Sequence, residues 1–347
     1  MAKKQHVVFI LTFIFSFLVL CIFLFKDNIV FIYKIDALQI FHDSEERFSA
    51  YFEPNTKYLK VEYMDKKCEK YDAAIFGSSR AVVYRTEDLN STFGVASYNM
   101  AGSDDTPIGS IQKIQWLDSR GCMPKTIFLP IASDRLMLHD YLKKPYYIAR
   151  MEHPLVGKKI DYLIDFMFTN LLSESSVNIN KKYVEKSESS KDQFIYDIST
   201  GDVYYLWDNI FKIEQCSDKQ IVADEKKIKE FVTALEEIQK FASAKGAKVI
   251  LLWNPMPIDV QLKHVETATK LLFLLSKNFQ DIHRVPLNDD KLTNHNFYHD
   301  WAHFKSSLAK EVIKSSNKIS VKQLIGEFEE YSGLCKGKEL LTSSSKP

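Results

Sequence analysis

From residue 70 onward, short apolar runs alternate with longer amphipathic stretches, and this alternation restricts the fold more than any other feature. "YDAAIFGSS" (71–79), "GVASYNMAGSDD" (94–105), "KTIFLPIASD" (125–134) and "AKVILLWNPMP" (247–257) each read as a strand that leaves through small or polar residues. "IHRVPLND" (282–289) reads as the last strand. Between them, "IGSIQKIQWLDSRG" (108–121) suits a helix stopped by Gly121. The stretch 224–246 puts Ile228, Phe231, Val232, Leu235, Ile238 and Phe241 on one helical face and ends at Gly246. Another helix is expected over roughly 262–278. Strand, helix, strand in this order predicts an α/β fold, a parallel sheet flanked by helices on both faces.

Val7 to Phe25 contains no charge and is long enough to cross about 30 Å of hydrocarbon as one helix. Lys3 and Lys4 precede it, which keeps that end in the cytoplasm. A cleaved signal peptide is the rival reading, but Phe, Leu and Lys stand where small residues are needed for cleavage. The expected organisation is a cytoplasmic end (1–6), a transmembrane anchor (7–25), a stalk (26–69), and an extracytoplasmic domain (70–320). The domain carries an insertion over about 140–222, read as an excursion or a lid on the sheet's carboxyl edge. Residues 321–347 are expected to be a disordered tail.

Charge narrows the partners. Lys and Arg total 46 against 45 Asp and Glu, so no global field draws the chain to nucleic acid. The membrane is the expected partner of the anchor. Cys21 lies in that anchor, leaving Cys68, Cys122, Cys216 and Cys335 outside it, none in a CxxC spacing. Four cysteines allow three pairings, and the sequence selects none.

Gly77-Ser78-Ser79-Arg80 ends the first strand, at the edge where open α/β sheets hold their sites. A turn-forming or helix-capping role is the plain reading of such serines. Near the other end, "NHNFYHDWAHF" (294–304) sets Asp300 three residues before His303. A serine hydroxyl needs a base to take its proton, and the base needs an orienting acceptor. Ser79, His303 and Asp300 are the residue types for those three roles. His295, His299 and His303 are spaced as metal ligands on a helix would be, but the surrounding Asn, Asp and aromatic residues argue against a regular helix. No metal site and no cofactor is assigned. Asp104, Asp105 and Asp134 read as cleft-lining groups or turn caps, and Trp253 as a cleft wall or a core residue.

The chain resembles the SGNH (GDSL-type) hydrolase superfamily. Gly77-Ser78-Ser79 is similar to its Gly-Asp-Ser turn, and Asp300-Trp301-Ala302-His303 matches its Asp-x-x-His block. Asn99-Met100-Ala101-Gly102 resembles its second block. The third, Gly-x-Asn-Asp, is not recognisable, and Ile131-Ala132-Ser133-Asp134 stands in its place. The resemblance implies a flavodoxin-like three-layer domain with Ser79 as nucleophile, His303 as base and Asp300 as orienter. It also implies that the Ser79 and Gly102 N–H groups receive the oxyanion. Arg80, Asn99 and Asn254 are the expected substrate-binding residues, Arg80 having the second reading of an arginine packed over a helix start. Anchored members with a Gly-Ser-Ser turn act in envelope acylation, as in teichoic-acid D-alanylation and alginate-type O-acetylation. The expected function is serine acyl transfer or ester cleavage on a cell-envelope glycan, working with an acyl-transferring membrane protein. The alternative is a catalytically silent, anchored glycan-binding or partner protein.

Overall fold

Ala73, Ala74 and Ile75 are fully enclosed, and a strand so covered on both faces belongs inside a parallel sheet. The computed structural model describes residues 12–13, 15–17, 47–50, 56–102, 105–137, 194–205, 221–300 and 303–343. Its main elements are β1 (Arg47–Ala50), α1 (Thr56–Lys67), β2 (Ala73–Ile75), α2 (Thr86–Phe93), β3 (Ser97–Asn99), α3 (Pro107–Ser119) and β4 (Thr126–Ile131). They continue with β5 (Phe194–Asp197), β6 (Val203–Tyr205), α4 (Glu225–Ala244), β7 (Lys248–Trp253), α5 (Ile258–Lys263) and α6 (Val265–Leu275). The chain closes with β8 (Asp281–His283), α7 (Ser306–Ile313), β9 (Lys318–Ser320) and α8 (Val321–Ser343).

Six strands form one sheet in the order β3-β2-β4-β7-β8-β9. Every pair is parallel except β8 with β9. The chain steps from β2 to β3 on one side, then crosses back to β4 on the other. The exits of β2 and β4 therefore diverge and leave a crevice at the sheet's carboxyl edge, the switch point where such folds bind ligands. The parallel α/β architecture is as expected; β9, an antiparallel edge strand, was not.

Helices flank the sheet in two groups: α3, α4, α6 and α8 pack in succession, and α2 packs with α7. Side chains at the helix starts explain where two of them begin. Thr106 accepts a hydrogen bond from the Gly109 N–H and is followed by Pro107, while Asp224 accepts from the Lys226 N–H. The helix expected over 262–278 is two, α5 and α6, which meet at His264.

Two boundaries need correction. Residues 56–67 are not stalk: α1 buries Val61, Tyr63 and Met64 in the core, and the Lys60 ammonium donates to the Ala101 carbonyl at 2.5 Å. Residues 321–343 are not a disordered tail but helix α8, whose Val321, Leu324 and Phe328 are buried. Part of the insertion is an ordered β-hairpin, β5–β6, paired with β1 in a separate antiparallel sheet. The rest of the insertion lies outside the described residues, as do most of the 7–25 segment and residues 26–46. Among the described residues no helix is long and apolar enough to cross a membrane. Cys68 and Cys122 form a disulfide that ties the approach to β2 to the α3–β4 connection.

Candidate active site

The Gly77–Arg80 turn is built from the backbone outward. Gly77 has φ +133°, a conformation that side-chain-bearing residues rarely adopt, and a Cβ there would lie 3.1 Å from that of Ala81. The chain then folds through tight turns rather than directly into a helix. The Ala81 N–H donates to the Ser78 carbonyl at 2.8 Å, and α2 begins only at Thr86. Ser79 sits in this turn, half-buried, at the β2–β4 switch point.

Its partners arrive from a loop 224 residues away. Tyr298 and Phe304 form an antiparallel bridge and are both buried, so they pin the two ends of that loop. The His299 N–H donates to the His303 carbonyl (2.8 Å), and the Lys305 N–H donates to the Phe297 carbonyl (2.8 Å). Inside the loop, Asp300 accepts from the backbone N–H of His303 at 2.8 Å. The same carboxylate contacts His303 Nδ1 at 3.0 and 2.9 Å. An ionised carboxylate only accepts, so Nδ1 is the donor to it, and in the neutral ring Nε2 is then the acceptor. His303 Nε2 lies 3.0 Å from Ser79 Oγ, in place to take the serine proton. The His303 and Asp300 side chains are 28% and 26% exposed, so solvent reaches the relay.

Packing brings the two segments together. The Phe304 and Tyr84 rings meet edge to face at a centroid distance of 5.7 Å, joining the histidine loop to the end of the turn that carries Ser79. Tyr84 in turn donates its hydroxyl to Asn254 Oδ1 at 3.1 Å. Burial pushes the Tyr84 phenol well above its usual range, so it remains a donor. Neither aromatic residue announces this role in the sequence.

The expected accessory residues fare differently. The Gly102 N–H donates to the Gly77 carbonyl at 3.0 Å, so it secures the turn and is not presented to an oxyanion. Asn99 is fully buried. Its amide donates to the carbonyls of Val82 and Tyr84 and to Asp202 Oδ1, and its oxygen accepts from the Ala101 N–H. It braces the fold and is closed to substrate. Arg80 is 2% exposed and forks onto Asp134, with both contacts at 2.5 Å, so an anionic substrate does not meet it. Asn254 is 3% exposed and borders a narrow cavity lined also by Gly77, Ser78, Thr106, Pro130 and Ala132, which neither Ser79 nor His303 lines.

Trp253 is a core residue whose indole N–H donates to Gln261 Oε1 at 3.0 Å. Asp105 is buried against Lys113 at 2.8 Å, while Asp104 lies outside the described residues. The three histidines do not share a helix face. His295 lies in a single 3-10 turn (His295–Phe297), and the chain from Tyr298 to Phe304 is the bridged loop. Asp134 as the partner of Arg80 escaped the sequence reading. Its one sequence-level signal is an acidic residue leaving the strand beside the one that an arginine leaves. Comparison with known protein families, with curated proteins and with solved structures finds no match.

Proposed function

We infer that the chain is a serine acyltransferase or esterase acting on O-acyl groups of a cell-envelope glycan, held at the membrane by its N-terminal segment. One observation carries the chemistry: Ser79, His303 and Asp300 stand in relay at 3.0 and 2.9 Å although the chain separates the first two by 224 residues. In the proposed route Ser79 Oγ attacks the acyl carbonyl carbon while its proton passes to His303 Nε2. The carbonyl is restored as the donor alcohol leaves with that proton, and acyl-Ser79 remains. A sugar hydroxyl or water then gives its proton to His303 and takes the acyl group, and His303 returns the proton to Ser79 Oγ as the acyl–oxygen bond breaks. The route needs no metal and no organic cofactor. Of the two oxyanion donors implied by the resemblance, the Gly102 N–H is committed to the Gly77 carbonyl.

Placement outside the cytoplasm is supported by the Cys68–Cys122 disulfide, since such bonds persist in oxidising compartments. The exposed Phe13, Phe15 and Phe17 in the apolar segment fit an anchor. Envelope glycan and an acyl-transferring membrane protein are proposed as partners on the resemblance alone. A second reading, a silent partner protein, draws on the commitment of the Gly102 N–H to Gly77. Deleting the gene separates the outcomes. If the chain is a transferase, its deletion leaves envelope glycan under-acylated, with wild type but not Ser79→Ala restoring it. Over-acylated glycan would instead mark an esterase, and full restoration by Ser79→Ala would favour the silent partner.

A further inference from the structure

Arg80 is joined by a peptide bond to the proposed nucleophile, and its guanidinium lies in the interior. Its Nη1 and Nη2 meet the two oxygens of Asp134, each at 2.5 Å, and Nη1 also lies 3.3 Å from Met256 Sδ. Asp134 stands three residues beyond the end of β4, and Met256 three beyond the end of β7. Since β2, β4 and β7 are neighbours in the sheet, one side chain connects three adjacent strand exits at the carboxyl edge.

A buried ion pair is a poor device for stability alone, because apolar residues of similar volume often stabilise a fold as well or better. What the fork does supply is direction. Two parallel N–H···O bonds fix the guanidinium plane against the carboxylate, which neither an apolar contact nor a lysine reproduces. Direction matters here because His303 comes from the other end of the chain, so the 3.0 Å contact depends on where the Ser79 turn is held. We propose that the Arg80–Asp134 pair is a positioning device that sets Ser79 Oγ against His303 Nε2. The proposal rests on the reading of Ser79 as nucleophile.

The test uses the full chain and a fluorophosphonate probe, in which the Ser79 Oγ–P bond forms as fluoride leaves and the serine proton passes to His303. The double variant Arg80→Met/Asp134→Leu replaces the pair by apolar groups. The expected result is an unchanged or higher Tm with labelling slowed about 10- to 100-fold, the loss that a displaced reacting group produces. With p-nitrophenyl acetate, kcat should fall and KM stay level, a split that mere loosening of the fold does not give. Labelling at the wild-type rate in the folded double variant overturns the proposal and leaves the nucleophile reading intact. Absence of Ser79 labelling in the wild type overturns both. If the double variant fails to fold, Arg80→Lys decides: slowed labelling at an unchanged Tm supports positioning, and an unchanged rate overturns it. Failure of both variants to fold also overturns it, since the pair would then be holding the domain rather than the turn.

Discussion

Two polar clusters sit at the carboxyl edge of the same sheet and differ in how their bonds are used. In the first, Asn99 and Asp202 are 0% and 2% exposed. Asp202 Oδ2 accepts from the Thr86 N–H and hydroxyl at 3.1 and 2.9 Å, and Asn99 donates to Oδ1 at 3.3 Å. Beside them Arg85 donates to the Val203 carbonyl at 2.7 Å and covers the Tyr204 ring at 3.7 Å. Gly201 allows this approach: its φ is +72°, and a Cβ would fall 2.4 Å from the Asn99 carbonyl oxygen. In the second cluster, Ser79, His303 and Asp300 form one relay that solvent reaches. The first locks the β5–β6 hairpin onto the domain, and the second leaves a histidine and a hydroxyl in contact within reach of solvent. Polar residues at a strand exit mark a site only where a reactive atom stays accessible.

The comparison breaks most readily at the relay. Ser79→Ala should lower ester hydrolysis by about 10⁶-fold and Asp300→Asn by about 10⁴-fold, as in other serine triads. Neither should move the Tm in thermal denaturation. A large drop in Tm would place the relay with the structural cluster.

Next in size is the disulfide. Cys68 and Cys122 are separated by 54 residues, so the bond removes about 4 kcal/mol of unfolded-state freedom on the chain-entropy account. Cys68→Ser should lose much of that in urea unfolding, while the folded fraction keeps its Ser79 labelling rate. The enclosed loop contains the Ser79 turn, so a selective loss of labelling without loss of stability would show that the bond shapes the site instead.

Asp202→Ala should cost about 3 kcal/mol by stranding the buried N–H and hydroxyl of Thr86 near the Arg85 charge. Burial raises the Asp202 carboxyl pKa, with the Arg85 charge opposing that shift. If Asp202→Ala instead abolished labelling in folded protein, the two clusters would be one functional unit.

The smallest effect concerns pH. His264 and His283 are buried, each with Nδ1 unpaired, and burial lowers both pKa values. An unfolded histidine titrates near pH 6.5, so below that pH the unfolded chain binds protons that the fold resists. The contribution of these rings is complete above about pH 6.5 and declines as pH falls toward their folded pKa values. Thermal unfolding between pH 7.5 and 5.5 should show Tm falling with acidity, and His283→Gln should flatten that slope.

The legible parts of this molecule were those set by local pattern. The amphipathic face of α4 and the strands before Gly77 and Asn254 follow from apolar spacing, and Asp300 with His303 from a three-residue interval. Pairings across the chain were less accessible. Arg80 with Asp134 and Asn99 with Asp202 depend on which strand exits become neighbours, and in the sequence each side chain had an equally ordinary solvent-facing role. Strand β9 escaped because three residues, Lys318 to Ser320, carry too little alternation to declare an edge strand. Helix α8 was missed because its apolar contacts lie in its N-terminal half, from Val321 to Tyr331, ahead of a polar end that reads as a tail.

The central claim is that Ser79 is a nucleophile activated by His303. Intact-mass analysis of the full chain after exposure to a fluorophosphonate probe tests it most directly, with peptide mapping to locate the adduct. The account predicts one adduct per chain, on Ser79, absent in Ser79→Ala and nearly absent in folded His303→Ala. No adduct on folded wild-type protein, or one that survives Ser79→Ala unchanged, would contradict it.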